Sequence, residues 1–166
     1  MEFGEFIESR RMRIRNDPDI FGRQCIVDEN DEVCGEEEYL LINAVDISLD
    51  EAFREVLGRG GVCYPAHIDR SANGIISMLG DFPPEPAFTA FELNDIASLD
   101  DCLSRFPILS ERGLMHVASS DAHYLTDISE QGFAVELKDE PYSSERVRNL
   151  LIDHLLGIVK DGDTRG

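Results

Sequence analysis

Beyond residue 45 the chain becomes a regular alternation of short apolar runs and longer segments whose apolar residues fall at helical spacing. This alternation limits the fold more than any other feature. Strands joined by helices pair in parallel, with each helix serving as the crossover. The runs that read as strands are VCYPAH, AFTAFEL, GLMHVASS and GFAVELK. Ser48-Leu49-Asp50-Glu51 is a capping-box pattern that opens a helix to about Leu57, which Gly58 and Gly60-Gly61 terminate. A second helix over 72–79 ends at Gly80, and Ser98 caps a third, SLDDCLSRF. Ser143-Ser144 cap a last one carrying Val147, Leu150, Leu151, Leu155 and Ile158. The predicted class is α/β with mostly parallel strands, and in such folds chemistry collects at the C-terminal ends of the strands.

The first third of the chain reads differently. Phe3, Phe6, Ile7 and Ile14 lie between charges at loosely helical spacing, which predicts an N-terminal helix over 1–16 stopped at Asp17-Pro18. Residues 18–44 hold two apolar stretches around an acidic, turn-rich centre, an insert read as a β-hairpin or a long excursion. Residues 45–166 form the βα part, and the whole of 1–166 reads as a single domain.

The charge balance excludes one class of partner. Fifteen basic residues stand against 34 acidic ones, a formal net charge of −19. A broad basic surface for nucleic acid or an anionic membrane is therefore absent, and no apolar stretch is long enough to span a bilayer. The four cysteines, Cys25, Cys34, Cys63 and Cys102, include no CxxC pair. The N-terminus has no apolar signal-like region, so the expected compartment is the cytoplasm, with reduced thiols. Cys63 lies in an apolar run and is expected to pack as a small hydrophobe.

Two strand ends carry the candidate chemistry. In an extended Asp121-Ala122-His123, residues two apart point to one side, offering an oxygen and an imidazole to the same volume. That pair suits zinc, manganese or iron better than calcium. His67 closes the run VCYPAH at a matching strand end. Arg70, three residues on, has the planar fork that grips a phosphate, or it pairs with a nearby carboxylate such as Asp69. Glu92, near the end of the intervening strand, is a candidate to orient a ligand or accept a proton. Ser119 and Ser120 precede the DxH and have no histidine arranged to activate them.

GGVCYPAHIDR and HVASSDAH, in that order with a strand–helix–strand unit between them, resemble the C-terminal half of the PHP (polymerase and histidinol phosphatase) family, particularly its stand-alone phosphoesterases. IFGRQCIVDENDEVCGEEEYLLINA is similar to the insert before the PAHIDR strand in some bacterial members. The resemblance covers roughly residues 18 to 137. It implies that the chain is the C-terminal part of a distorted seven-stranded β/α barrel that holds divalent metal ions (Zn, Mn or Fe) and hydrolyses a phosphomonoester or phosphodiester. By motif, His67, Asp121 and His123 would be metal ligands, Asp121 and His123 would also serve catalysis, and Arg70 would hold the phosphate of a small substrate.

The family's early HxH motif, its second Asp-His strand and the following Glu and His are missing, and the remaining histidines, His116 and His154, read as structural or surface residues. The expectation is a metal-dependent phosphoesterase that is incomplete in this chain. Its expected partners are the missing N-terminal barrel half or, to cover the cut edge of the sheet, a second copy in a homodimer. The alternative is a non-catalytic PHP-like domain that keeps a residual or structural metal site and works through protein contacts.

Overall fold

A computed structural model describes residues 2–129, 133–138 and 140–158. The chain divides into two compact units, Met1–Ala52 and Phe53–Gly166, with the division inside one helix. Among the described residues, no helix is long and apolar enough to cross a membrane.

The first unit starts with helix α1 (Phe3–Arg10), shorter than the predicted 1–16. Asp17 does not stop that helix; its carboxylate accepts from the Asp19 N–H and caps a separate turn of helix, α2 (Pro18–Phe21). Strands β1 (Cys25–Val27) and β2 (Val33–Glu36) then form an antiparallel hairpin, one of the two readings of this insert. Phe6 and Leu40 are buried, while Ile26, Val27 and Val33 of the hairpin stay exposed. With so little apolar burial, polar links carry much of the order. The Gln24 side chain donates to the Glu37 and Tyr39 carbonyls and accepts from the Leu41 N–H. Arg11 pairs with both Glu8 and Glu37, which raises its already high pKa through those hydrogen bonds.

Helix α3 (Leu49–Gly58) begins as its sequence signals dictate, with the Glu51 N–H donating to the Ser48 hydroxyl at 3.2 Å. Its apolar residues recur at 49, 52, 53, 56 and 57, the spacing of one helical face. In the second unit, the Phe53 ring meets Phe88 edge to face, with centroids 5.4 Å apart. Helix α4 (Ile75–Leu79) ends at Gly80, whose φ of +86° a glycine adopts without strain. Strand β3 (Ala90–Leu93), helices α5 (Leu99–Arg105) and α6 (Pro107–Glu111), strand β4 (Met115–Ala118) and helix α7 (Ser144–Leu155) follow. Strand β3 pairs in parallel with β4, and Ala90, Phe91 and Leu93 are fully buried. Such burial on both faces is the usual state of a parallel strand. Phe91, Leu93, Cys102 and Leu109 are the most enclosed members of the core. Ser143 caps α7, and the Thr89 hydroxyl donates to the Leu155 carbonyl, docking the helix end beside β3.

The expected portion of a seven-stranded, mostly parallel barrel does not form. Among the described residues the strands make two sheets of two, β1–β2 antiparallel and β3–β4 parallel. Of the four runs read as strands, AFTAFEL and GLMHVASS pair along a ladder and the other two do not. VCYPAH contains Pro65, which has no N–H to give, and it touches β3 only at its end. There the Glu92 N–H donates to the Pro65 carbonyl and the Ile68 N–H to the Glu92 carbonyl, each at 2.9 Å. Two residues, Ala66 and His67, stand opposite one, in the manner of a β-bulge that breaks the ladder. Residues 133–138 of GFAVELK alternate between half-buried and exposed but form no strand; Gly132 lies outside the described residues. Ser98 stands at the N-cap of α5 as expected but makes no side-chain cap hydrogen bond; its hydroxyl goes to Asp69 and the Asp95 carbonyl, and Asp95 caps the 3-10 turn over Ile96–Ser98 just before the helix.

Candidate functional site

The register of β3 and β4 sets the site. Ala90 pairs with Met115 and Leu93 with Ala118, so both strands end at one level, and the Ser119 N–H donates to the Leu93 carbonyl one step beyond. Beyond β4 the chain turns, and Asp121 takes a left-handed φ of +47°. His67, in the bulge beside β3, takes φ +32°. Residues other than glycine pay for such conformations, on the order of 1–3 kcal/mol each, and the surrounding contacts must hold them there. Asp121 is thus not in the extended conformation expected for the DxH; the turn, not a strand's two-residue period, aims its carboxylate.

Four of the candidate residues converge. Arg70 donates through Nη1 to Asp121 Oδ2, and His67 Nε2 lies 3.9 Å from the same oxygen. His123 Nε2 is 3.8 Å from the other oxygen, Oδ1. The Asp121 side chain is 25% exposed, His67 15%, Arg70 46% and His123 75%, so the cluster runs from a half-closed base to an open rim. Arg70 therefore pairs with Asp121 rather than with Asp69.

Glu92 faces a different partner: its carboxylate accepts the Ser119 hydroxyl proton. Burial, with Glu92 nearby, pushes the Tyr64 phenol up. His116 stands between Phe91 and Phe133, with ring centroids 6.2 and 5.4 Å away, as a packing residue. A cleft of about 560 Å³ opens beside these strand ends, lined in part by Asn94, Asp95, Ser119, Ser120, Asp127 and Phe133.

Sequence reasoning missed two residues that shape the site. Asp69 accepts the N–H groups of Asn94 and Asp95 and the Ser98 hydroxyl, at 2.8 to 2.9 Å, tying the His67–Arg70 turn to the loop after β3. Burial raises the Asp69 pKa, but these donors together outweigh it and hold the carboxyl below its usual range. Gly74 has φ −99°, open to any residue, so its small size serves space. A Cβ there would stand 3.2 Å from the His67 carbonyl oxygen and 3.6 Å from His67 Nδ1. That Nδ1 is buried without a hydrogen-bond partner. The single Gly in SANG was the one available sequence signal, and it pointed equally to a helix start.

Two imidazoles and a carboxylate are the donor types a borderline divalent cation prefers. Two ligand atoms about 2.1 Å from one tetrahedral ion lie roughly 3.4 Å apart. The separations of 3.8 and 3.9 Å exceed that by a few tenths of an ångström. Among the described residues no group of three His, Cys, Asp or Glu side chains stands close enough to hold a metal. The donor chemistry fits a cation; the side chains, with Arg70 on Oδ2, would have to draw inward around it. No family model, no curated protein and no solved structure matches the chain.

Proposed function

We propose that the strand ends of the second unit carry the cation- and phosphate-facing residues of a metal-dependent phosphoester hydrolase of the PHP type. The observation that supports this most is one carboxylate, Asp121, flanked by His67 on one oxygen, His123 on the other, and the Arg70 guanidinium. A zinc, manganese or iron ion held by His67, Asp121 and His123 would supply Lewis-acid polarisation of the phosphoryl group and a nucleophile from water near neutral pH.

The chain's own residues take the remaining tasks. Arg70 presents a fork to two phosphate oxygens, neutralising an anion that a chain of net charge −19 otherwise repels. His123, on the exposed rim, would hold the ion through Nε2, which faces Asp121 Oδ1. The cleft beside the site has room for the organic part of the substrate.

The test is hydrolysis of a generic aryl phosphate by the full chain with added Mn²⁺. Asp121→Asn is expected to lower the rate roughly 100-fold or more, since even groups that only orient ligands cost 10–100-fold when lost. Equal rates for the two proteins would sink the reading. One observation favours a second, non-catalytic reading: among the described residues no three donors stand within common reach of an ion. Under that reading Mn²⁺ binds without any turnover.

A further inference from the structure

We propose that the outer edge of β1 docks a basic, extended segment of another protein, which joins the hairpin as its third strand. The hairpin is incomplete by itself. Ile26, Val27 and Val33 are 48%, 51% and 57% exposed, and among the described residues β1 and β2 make up the whole sheet. A two-stranded ribbon is marginal in water, and a third strand is the usual remedy. The apolar residues also lie on both faces. Val27 and Val33 are register partners and share one face, while Ile26 lies over Gly35 on the other. A partner laid on one face would leave the other bare. An added strand covers both, because its side chains alternate from face to face.

The two edges of the hairpin differ. The Glu37 N–H donates to the Gln24 carbonyl and the Asp28 N–H to the Glu32 carbonyl, so residues 24, 26 and 28 turn towards β2. Cys25 and Val27 therefore turn their main-chain groups outward along an unbroken edge. On β2, one step from Ile26 to Val27 is matched by the two from Gly35 to Val33, so Cys34 bulges and breaks that edge. Charge then selects the partner. Seven carboxylates and no Lys or Arg stand between Cys25 and Glu38. Arg23, Arg11 and Arg15 pair with Glu36, Glu37 and Glu38, and Asp28 accepts from the Asn30 and Glu32 N–H groups. Glu29, Asp31 and Glu32 are exposed at the turn and face a partner's cations. Nucleic acid, an anionic lipid surface or a second copy of this chain would bring like charge to them, whereas a Lys- or Arg-bearing strand brings the opposite.

The experiment is fluorescence anisotropy of a labelled acetyl-(Lys-Val)₄-amide peptide titrated with the full chain. Its comparators are the same peptide N-methylated throughout, which cannot pair as a strand, and the matching (Lys-Ser)₄ and (Glu-Val)₄ peptides. The proteins are wild type, Ile26→Thr with Val27→Thr, and Glu29→Gln with Glu32→Gln, each checked by thermal melt and sedimentation. Wild type is expected to bind the Lys-Val peptide and not the Glu-Val peptide. N-methylation, the Lys-Ser sequence, or the paired threonines should each weaken binding by roughly ten-fold or more, the scale of two half-buried apolar side chains. The paired glutamines should weaken it and flatten its dependence on salt. No binding by wild type overturns the proposal. Equal binding of the N-methylated peptide, or equal binding by the threonine variant, also overturns it, because charge alone would then attract the peptide. A wild-type dimer that the threonine variant loses would make a second copy the occupant and overturn it as well. Threonine keeps the strand preference, and should that variant still fail to fold, the N-methylated peptide against wild type decides.

Discussion

His67 and Asp121 meet across two strand ends, Nε2 to Oδ2 at 3.9 Å, and each holds a left-handed backbone to do so. Neither conformation comes from a regular element. One belongs to a bulge against β3 and the other to the turn after β4, so the site depends on what braces those two turns.

Gly74 is one brace. Gly74→Ala gains about 0.4–1 kcal/mol by restricting the unfolded chain, because its φ of −99° suits alanine. Crowding the His67 carbonyl at 3.2 Å costs more, about 1–3 kcal/mol. The clash wins, so urea unfolding should show a net loss, and calorimetry should show weaker Mn²⁺ binding as His67 shifts. A variant as stable as wild type with unchanged Mn²⁺ affinity would mean that the turn has slack.

Asp69 is the other brace, and its effect depends on pH. Its folded pKa lies below the unfolded value of about 3.9. The stability it contributes is therefore complete above that value and is lost as pH falls through the folded one. Asp69→Ala should lower Tm at pH 7, and the gap to wild type should narrow below about pH 4. A gap that stays constant down to pH 2 would rule out the ionised carboxylate as the brace.

The thiols divide by burial. Cys25 and Cys34 are exposed on the hairpin, Cys63 is half-buried and Cys102 is buried, and burial pushes the last two thiols up. Since the thiolate is the reactive form, iodoacetamide at pH 8 should label Cys25 and Cys34 first. Cys63 should follow slowly and Cys102 only after unfolding, as read by mass spectrometry. Early labelling of Cys102 would contradict its burial in the core with Phe91 and Leu93.

Local signals were the ones the sequence exposed well. Ser48, Gly80 and Ser143 mark helix ends where side chain or φ settles the matter within a few residues, and the structure places them so. At Ser98 the position held but the capping bond did not, because Asp95 begins a tighter turn just before it and the Ser98 hydroxyl is taken by Asp69 and the Asp95 carbonyl. Local logic failed for VCYPAH. Apolar content said strand, but a strand exists only when a partner supplies a full ladder, and Pro65 and the bulge at His67 deny it one.

By itself, then, the sequence located α1, α3, α4, α5 and α7 but not the short α2 and α6, marked β3 and β4 as strands, and singled out His67, Arg70, Asp121 and His123 as candidates, because residue type and short-range spacing carry that information. Only the tertiary structure decided that the strands stop at two small sheets instead of a barrel portion. It also decided that Arg70 turns to Asp121 while Asp69 turns to the loop after β3. Those outcomes rest on pairings between residues 25 to 51 positions apart, such as Asp69 with Asn94 and Arg70 with Asp121. Competition among such distant partners is settled by packing and hydrogen-bond geometry, which no local pattern encodes.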